Sequence, residues 1–424
     1  MNKTDSYSPS KTVEHLFREQ SGRMSSVLTR VFGFHNSELV DDIIQETFIA
    51  AMKTWPLKGE PEEPVAWLMT VAKNKLLNEL KRLKRSEKKH QALVDYQTEE
   101  QIDELFLDHE IKDSQLRTLF ACCNPNLKPK VKIMLTLKIV SGFSDAVIAN
   151  ALLMSEHAVK KSIFRAKQLL RNSGETLQIP FVPEVENRFE TALTVIYLIF
   201  NEGYKSSHGA LVFNEEICEE AIKLGLLLEG VPNIEQGKLF ALLALMYFNV
   251  ARLDTRLNDL GEMVNFENQN RLKWDRNLIK AGVYYLRKSR VSESLSKYHL
   301  EATIASAHAL ASHYKETDWK LIVSCYRMLL KLQDTDLTKL NYAIALSKLD
   351  GSASGLKILA EIEESAPFQS LYFAAKAEMN LSAENYDKAK AYYSVALDYI
   401  TNDAERDFIQ KKIQECDKHN YLSN

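Results

Sequence analysis

Residues 38–85 read ELVDDIIQETFIAAMKTWPLKGEPEEPVAWLMTVAKNKLLNELKRLKR, two helix-forming segments on either side of a Pro-rich stretch. Over residues 38–54, Leu39, Ile43, Phe48, Ala51 and Met52 recur on or near one face at helical spacing. Asp41, Asp42, Gln45 and Glu46 stand opposite, near the helix start, where acids also suit the macrodipole. WPLKGEPEEP, residues 55–64, reads as a loop. After Pro64 a further helix carries the stripe Val65, Leu68, Val71, Ala72, Leu76 and Leu80, which leaves Lys73, Asn74, Asn78, Lys81 and Arg82 largely outward. Upstream, Val13, Leu16, Phe17 and then Val27, Leu28, Val31 repeat the helical spacing.

The whole chain agrees. It has 14 Gly and 10 Pro in 424 residues, roughly 3% and 2% against averages of about 7% and 5%. Hairpins and tight βα turns need these residues, so the expected fold is all-α. The length implies two to four domains, and 45% hydrophobic residues exclude disorder throughout. Five cysteines without a CxxC do not make a secreted disulfide framework. The longest apolar runs, 192–200 and 239–248, are about half of what a bilayer span needs, and the N-terminus shows no apolar signal region. The expected location is cytoplasmic, with no membrane partner.

Net charge is only −3, but its distribution is uneven. Lys73, Lys75, Lys81, Arg82, Lys84, Arg85, Lys88 and Lys89 crowd residues 71–90 against Glu79 and Glu87. Residues 91–113 reverse the sign with Asp95, Glu99, Glu100, Asp103, Glu104, Asp108, Glu110 and Asp113 against Lys112. Lys160, Lys161, Arg165, Lys167 and Arg171 form a second basic cluster. A single basic run is usually a solvated face. Two basic helices separated by an acidic linker imply two contacts with a polyanion.

That second cluster closes FSDAVIANALLMSEHAVKKSIFRAKQLLR, residues 143–171, within a predicted four-helix unit 114–172. Ser144 and Ser155 are placed to cap two short helices joined by a tight turn, the second amphipathic and basic, a pattern suited to the major groove. Cys122-Cys123 read as small buried residues at a helix end rather than a thiol sensor or metal site, because adjacent cysteines rarely bridge and no zinc-type spacing is present. Trp67, on an apolar stripe, reads as core rather than a base-stacking platform, and Trp55 as structural.

DDIIQETFIAAMKTW, the loop and AWLMTVAKNKLLNELKR together resemble region 2 of a bacterial RNA polymerase sigma factor of the extracytoplasmic-function type. Residues 143–171 resemble region 4. The resemblance implies that Asp41, Asp42, Gln45 and Glu46 dock on the polymerase β′ coiled coil. It further implies that Lys73, Asn74, Asn78, Lys81 and Arg82 serve the −10 element, whose melting also needs the preceding loop. Ser155, Glu156, His157, Lys160, Lys161 and Arg165 would then face the −35 element, while Val159, Ile163 and Leu169 pack inward. The implied domains are 11–90 (region 2), 91–113 (acidic linker) and 114–172 (region 4), with no room for a region 3.

Beyond them, LTVIYLIFNEGYKSSHG, EEICEEAIKLGLLL and NQNRLKWDRNLIKAGVYYL resemble the helical C-terminal extension of a subgroup of these factors. The implied extension is 185–315, followed by tetratricopeptide-like repeats over 316–412, as in NYDKAKAYYSVAL. Asn201, Glu202, Tyr204 and His208 read as loop-capping residues or an interface. No nucleophile–base–orienter set can be assembled around them, so no catalytic residue, metal or cofactor is assigned. The expected partners are core RNA polymerase (β′ and β), promoter DNA and a regulatory protein at the repeats. The extension is expected to regulate in cis. Two rivals remain: a DNA-binding repressor or activator with a helical-repeat sensor, and an adaptor whose basic helices are merely solvated.

Overall fold

The computed structural model describes residues 9–85, 98–172, 177, 184–204, 213–232, 234–292, 294–363 and 368–423. Among them the fold is all-α, with one isolated bridge between Leu257 and Met263. The chain divides into two compact units, Met1–Leu198 and Ile199–Asn424.

The first unit contains α1 (Pro9–Phe32), α2 (Ser37–Lys58), α3 (Pro64–Arg85), α4 (Glu99–Leu105), α5 (Asp108–Cys122), α6 (Pro129–Leu135), α7 (Asp145–Ala151) and α8 (Glu156–Asn172). Its division from the second unit falls inside α9 (Glu184–Tyr204). Val27, Leu28, Val31, Ile43, Phe48, Ala51, Leu68, Ala72 and Leu76 form one apolar core between α1, α2 and α3. The buried set on α2 is Val40, Ile43, Ile44, Thr47, Phe48, Ala51 and Trp55, a strict helical spacing. Met52, expected near that face, lies about 100° off it and is 50% exposed. Trp55 is buried and meets the half-buried Trp67 edge-on at 5.5 Å, so both tryptophans are core residues.

The sequence predicts a loop from residue 55, but α2 runs on through Pro56 to Lys58. Pro56 sits in the last turn, where losing one N–H costs a single bond. Gly59, at φ +85°, ends the helix by donating its N–H to the Trp55 carbonyl.

The other side of α1 is lined by small residues. Ser21, Ser25, Ser26 and Thr29 are buried there. Gly22 lies so close to the turn after α6 that a Cβ would stand 2.2 Å from the Val140 carbonyl oxygen. That turn is a widened π-type turn, Thr136–Val140, closed by the Ser141 N–H on the Thr136 carbonyl. Gly142 follows at φ +74°. The acidic linker expected over 91–113 therefore contains helix: α4 lies within it and α5 begins within it.

Ser144 and Ser155 cap α7 and α8, accepting from Val147 N at 3.3 Å and Ala158 N at 3.2 Å. Val159, Ile163, Ala166 and Leu170 are the buried face of α8. Leu169, expected inward, is one residue off that face and only partly buried.

The second unit continues with α10 (Glu215–Leu227), α11 (Gly237–Val250), α12 (Arg276–Lys288), α13 (Lys297–Leu310), α14 (Trp319–Leu332), α15 (Asp336–Asp350), α16 (Ser352–Leu359), α17 (Gln369–Ser382), α18 (Tyr386–Leu397) and α19 (Asp403–Ser423). Helix α11 is buried along most of its length. From α13 onward each helix packs on its neighbours around three small apolar clusters, centred on Ile322, Leu359 and Tyr393.

The stretch NQNRLKWDRNL is used structurally. Buried Arg271 donates to the carbonyls of His308 and Ala311 at 2.8 and 3.0 Å, satisfying the end of α13. Trp274 Nε1 donates to Thr255 Oγ1, and Asp275 caps α12.

His308 lies edge-on between Phe266 and Trp319. Burial, reinforced by Arg271 and Arg252, lowers its pKa to about 3. The folded ring refuses a proton that the unfolded chain accepts, so stability falls as pH drops below the ordinary histidine value. From pH 7 to pH 5 the expected loss from this residue is about 2 kcal/mol. Buried His299, also lowered, acts in the same direction. Urea unfolding at the two pH values should show His308→Phe losing about 2 kcal/mol less than the wild type. An equal loss in both proteins would refute the assignment. Gly22→Ala should cost about 1–3 kcal/mol in the same assay, because backbone must move to admit the methyl.

Candidate nucleic-acid interface

Helix α3 buries Leu68, Met69, Ala72, Leu76 and Leu80 and turns Asn74, Asn78, Lys81 and Arg82 to solvent, with Lys73 half-buried. Three of these cations are engaged within the chain. Lys73 Nζ lies 3.1 Å from Asp103 and Lys81 Nζ 2.6 Å from Glu99, both acids on α4. Arg82 pairs with Glu79 on its own helix at 2.8 Å. Lys84 and Arg85 close α3, whereas Lys88 and Lys89 lie outside the described residues. At the tip of α2, Leu57 is 86% exposed beside the Gly59 turn. It is an apolar residue that periodicity alone does not single out.

On the acidic face of α2, Asp42, Gln45 and Glu46 are exposed. Glu46 accepts from Lys75 of α3 at 2.6 Å. Asp41 stands 3.9 Å from Lys167 of α8. Burial holds Lys167 below the usual lysine range, opposed by the attraction of Asp41. Lys167 thus differs from the rest of its basic cluster: it lines a small polar recess with Ser25, Thr29, Ser37, Asp41 and Lys138, between α1–α2 and the α6–α8 segment.

On α8 the solvent face presents Ser155, Glu156, His157, Lys160, Lys161 and Arg165 in one row, all exposed. Lys160 is hydrogen-bonded by Glu156 at 2.8 Å, which raises its pKa and keeps it charged. Phe164 adds an apolar side chain 56% exposed in the middle of this row. The signal for it was available, since Phe164 falls outside the stripe of Val159, Ile163, Ala166 and Leu170. Leu153, at φ +54°, turns the chain between α7 and α8.

The remaining marked residues are built into cores. Cys122 and Cys123 are buried, and burial pushes the Cys123 thiol up to about 12. Among the described residues no cluster of His, Cys, Asp and Glu is arranged to hold a metal ion. Tyr204 is buried under the guanidinium of Arg256, whereas His208 lies outside the described residues. No helix among the described residues is long and apolar enough to cross a membrane.

Residues 16–86 match sigma-70 region 2. This is the signature of a sigma-factor-like role in transcription initiation, exercised with core RNA polymerase on promoter DNA by transcription factors rather than enzymes. Residues 188–290 match a family of unknown function, DUF6596. An uncharacterized protein of Rhizobium meliloti (strain 1021) is 31% identical over 385 residues, covering 90% of each chain. The chain belongs to the family of that protein. No solved structure matches it.

The native protein should leave Cys122 and Cys123 unmodified by a thiol reagent at pH 8, with all five cysteines reacting in guanidinium. Rapid native labelling at either position, mapped by mass spectrometry, would revive the thiol-sensor reading.

Proposed function

We propose that this protein is a sigma factor of the extracytoplasmic-function type. In this reading Asp41, Asp42, Gln45 and Glu46 of α2 engage the β′ coiled coil. Lys73, Asn74, Asn78, Lys81 and Arg82 of α3 serve the −10 element, and the α7–α8 pair is a helix-turn-helix for the −35 element. The observation that carries the reading is the coupling of a sigma-70 region 2 to α8. That helix is capped by Ser155, has its apolar face buried, and presents Glu156, His157, Lys160, Lys161 and Arg165 in an open row.

The second unit we assign to regulation in cis, ending in tetratricopeptide-like repeats that take a regulatory protein. The helix spacing supports this, since α16 begins at Ser352 and α18 at Tyr386, 34 residues on, the period of such repeats.

Reversing the charge of Asp41, Asp42 and Glu46 to lysine should abolish co-purification with core RNA polymerase and run-off transcription, while duplex binding survives. Retained transcription would sink the sigma reading in favour of a repressor or activator acting without the polymerase. Replacing Lys160, Lys161 and Arg165 by alanine should weaken duplex binding and flatten its salt dependence by about one power of salt for each phosphate no longer neutralised. Deleting residues 185–424 should change transcription but not polymerase binding. Identical behaviour of the two proteins would remove the regulatory role.

A further inference from the structure

Helix α4, in the acidic stretch before α5, is anchored over α3. Helix α4 has seven residues, too few to be stable alone, and begins with a capping box in which the Thr98 and Gln101 side chains bond each other's backbone N–H. Two apolar residues secure it: Ile102 and Leu105, 1% and 3% exposed, enter the same core as α1, α2 and α3. Burial of these two side chains, rather than the ion pairs, holds α4 in place, because exposed ion pairs add little. The ion pairs have a different consequence. With Ile102 and Leu105 seated, Glu99 and Asp103 fall one turn apart and reach Lys81 and Lys73 at 2.6 and 3.1 Å. Just beyond, α5 is tied to α1 by Arg23–Asp108 and by Arg30 with Glu110 and Asp113.

We propose that α4 is an internal competitor for nucleic acid, its Glu99 and Asp103 carboxylates holding the α3 lysines that would otherwise take DNA phosphates. The proposal rests on the assignment of α3 to the −10 element and deepens it. Glu99 and Asp103 are 63% and 57% exposed, so a polyanion can displace them one ion pair at a time while Ile102 and Leu105 stay buried. A nucleic acid must therefore out-compete two tethered carboxylates before it engages α3, which lowers the affinity of the free protein for DNA.

The test uses the full-length protein and a fluorescein-labelled single-stranded DNA of mixed sequence, titrated at several salt concentrations. Three double variants are compared with the wild type: Glu99→Gln/Asp103→Gln, the matched control Glu100→Gln/Glu104→Gln on the same helix with the same charge change, and Lys73→Gln/Lys81→Gln. The first should bind on the order of three- to tenfold tighter than the control. Its salt dependence should be steeper by about 1.4 in log K against log salt, two lysines having been released. Equal gains in the first variant and the control would overturn the proposal, since net charge alone would then explain them. No gain in the first variant, with binding lost in Lys73→Gln/Lys81→Gln, would overturn the competitor role and leave α3 as a DNA-binding face. No effect in any of the three would overturn both the competitor and the −10 assignment.

Discussion

Helix α1 has to serve two packing surfaces at once, and the first unit depends on how it does so. Its large apolar residues, Val27, Leu28 and Val31 among them, fill the core shared with α2 and α3. Its opposite side is reduced to Ser21, Gly22, Ser25, Ser26 and Thr29, which lets the turn after α6 approach to backbone distance. A helix with large side chains all round would hold the second surface some ångströms further off. The Arg30 pairs and the Lys167–Asp41 pair could not then form. Small residues on one stripe, not strong attraction, bring the two halves of this unit together.

Charge is then arranged within the spacing that α1 sets. The acids after residue 98 are not a solvated spacer, for Glu99, Asp103, Asp108, Glu110 and Asp113 each meet a cation of α1 or α3. On α8, by contrast, Lys160 meets Glu156 of its own helix, and among the described residues Lys161 and Arg165 are in no ion pair. The two basic surfaces of one unit thus differ in availability, one closed by internal acids and one open.

Much of this was legible in the residues. Fold class followed from scarce Gly and Pro, and the α2 and α3 stripes from periodicity, with misses at Met52, at Val71, which is only partly buried, and at Met69, which is buried; on α8 Leu169 lies one residue off the buried face. The cap residues Ser144 and Ser155 were readable because capping is local chemistry. What escaped was tertiary. A charge run states its sign but not its partner, so Asp103 with Lys73 and Asp41 with Lys167 could not be found from spacing. Helix α4 hid inside an apparent linker because seven residues carry too little periodicity; its existence depends on Ile102 and Leu105 finding a core built by other helices. Pro56 misled because a proline in a last turn looks the same in sequence as one in a loop.

The second unit departs from a single-core design. Among the described residues, three small apolar clusters run from α13 to α19, each formed by successive helices. Such a stack has no central point at which a load must be borne. Bending it changes each helix-to-helix contact slightly, and the changes accumulate along the row. The row is not free at its far end, for Lys411 of α19 reaches Glu262 at 2.6 Å and Lys348 of α15 reaches Glu267 at 3.6 Å, so a charged clasp to the loop before α12 checks such bending.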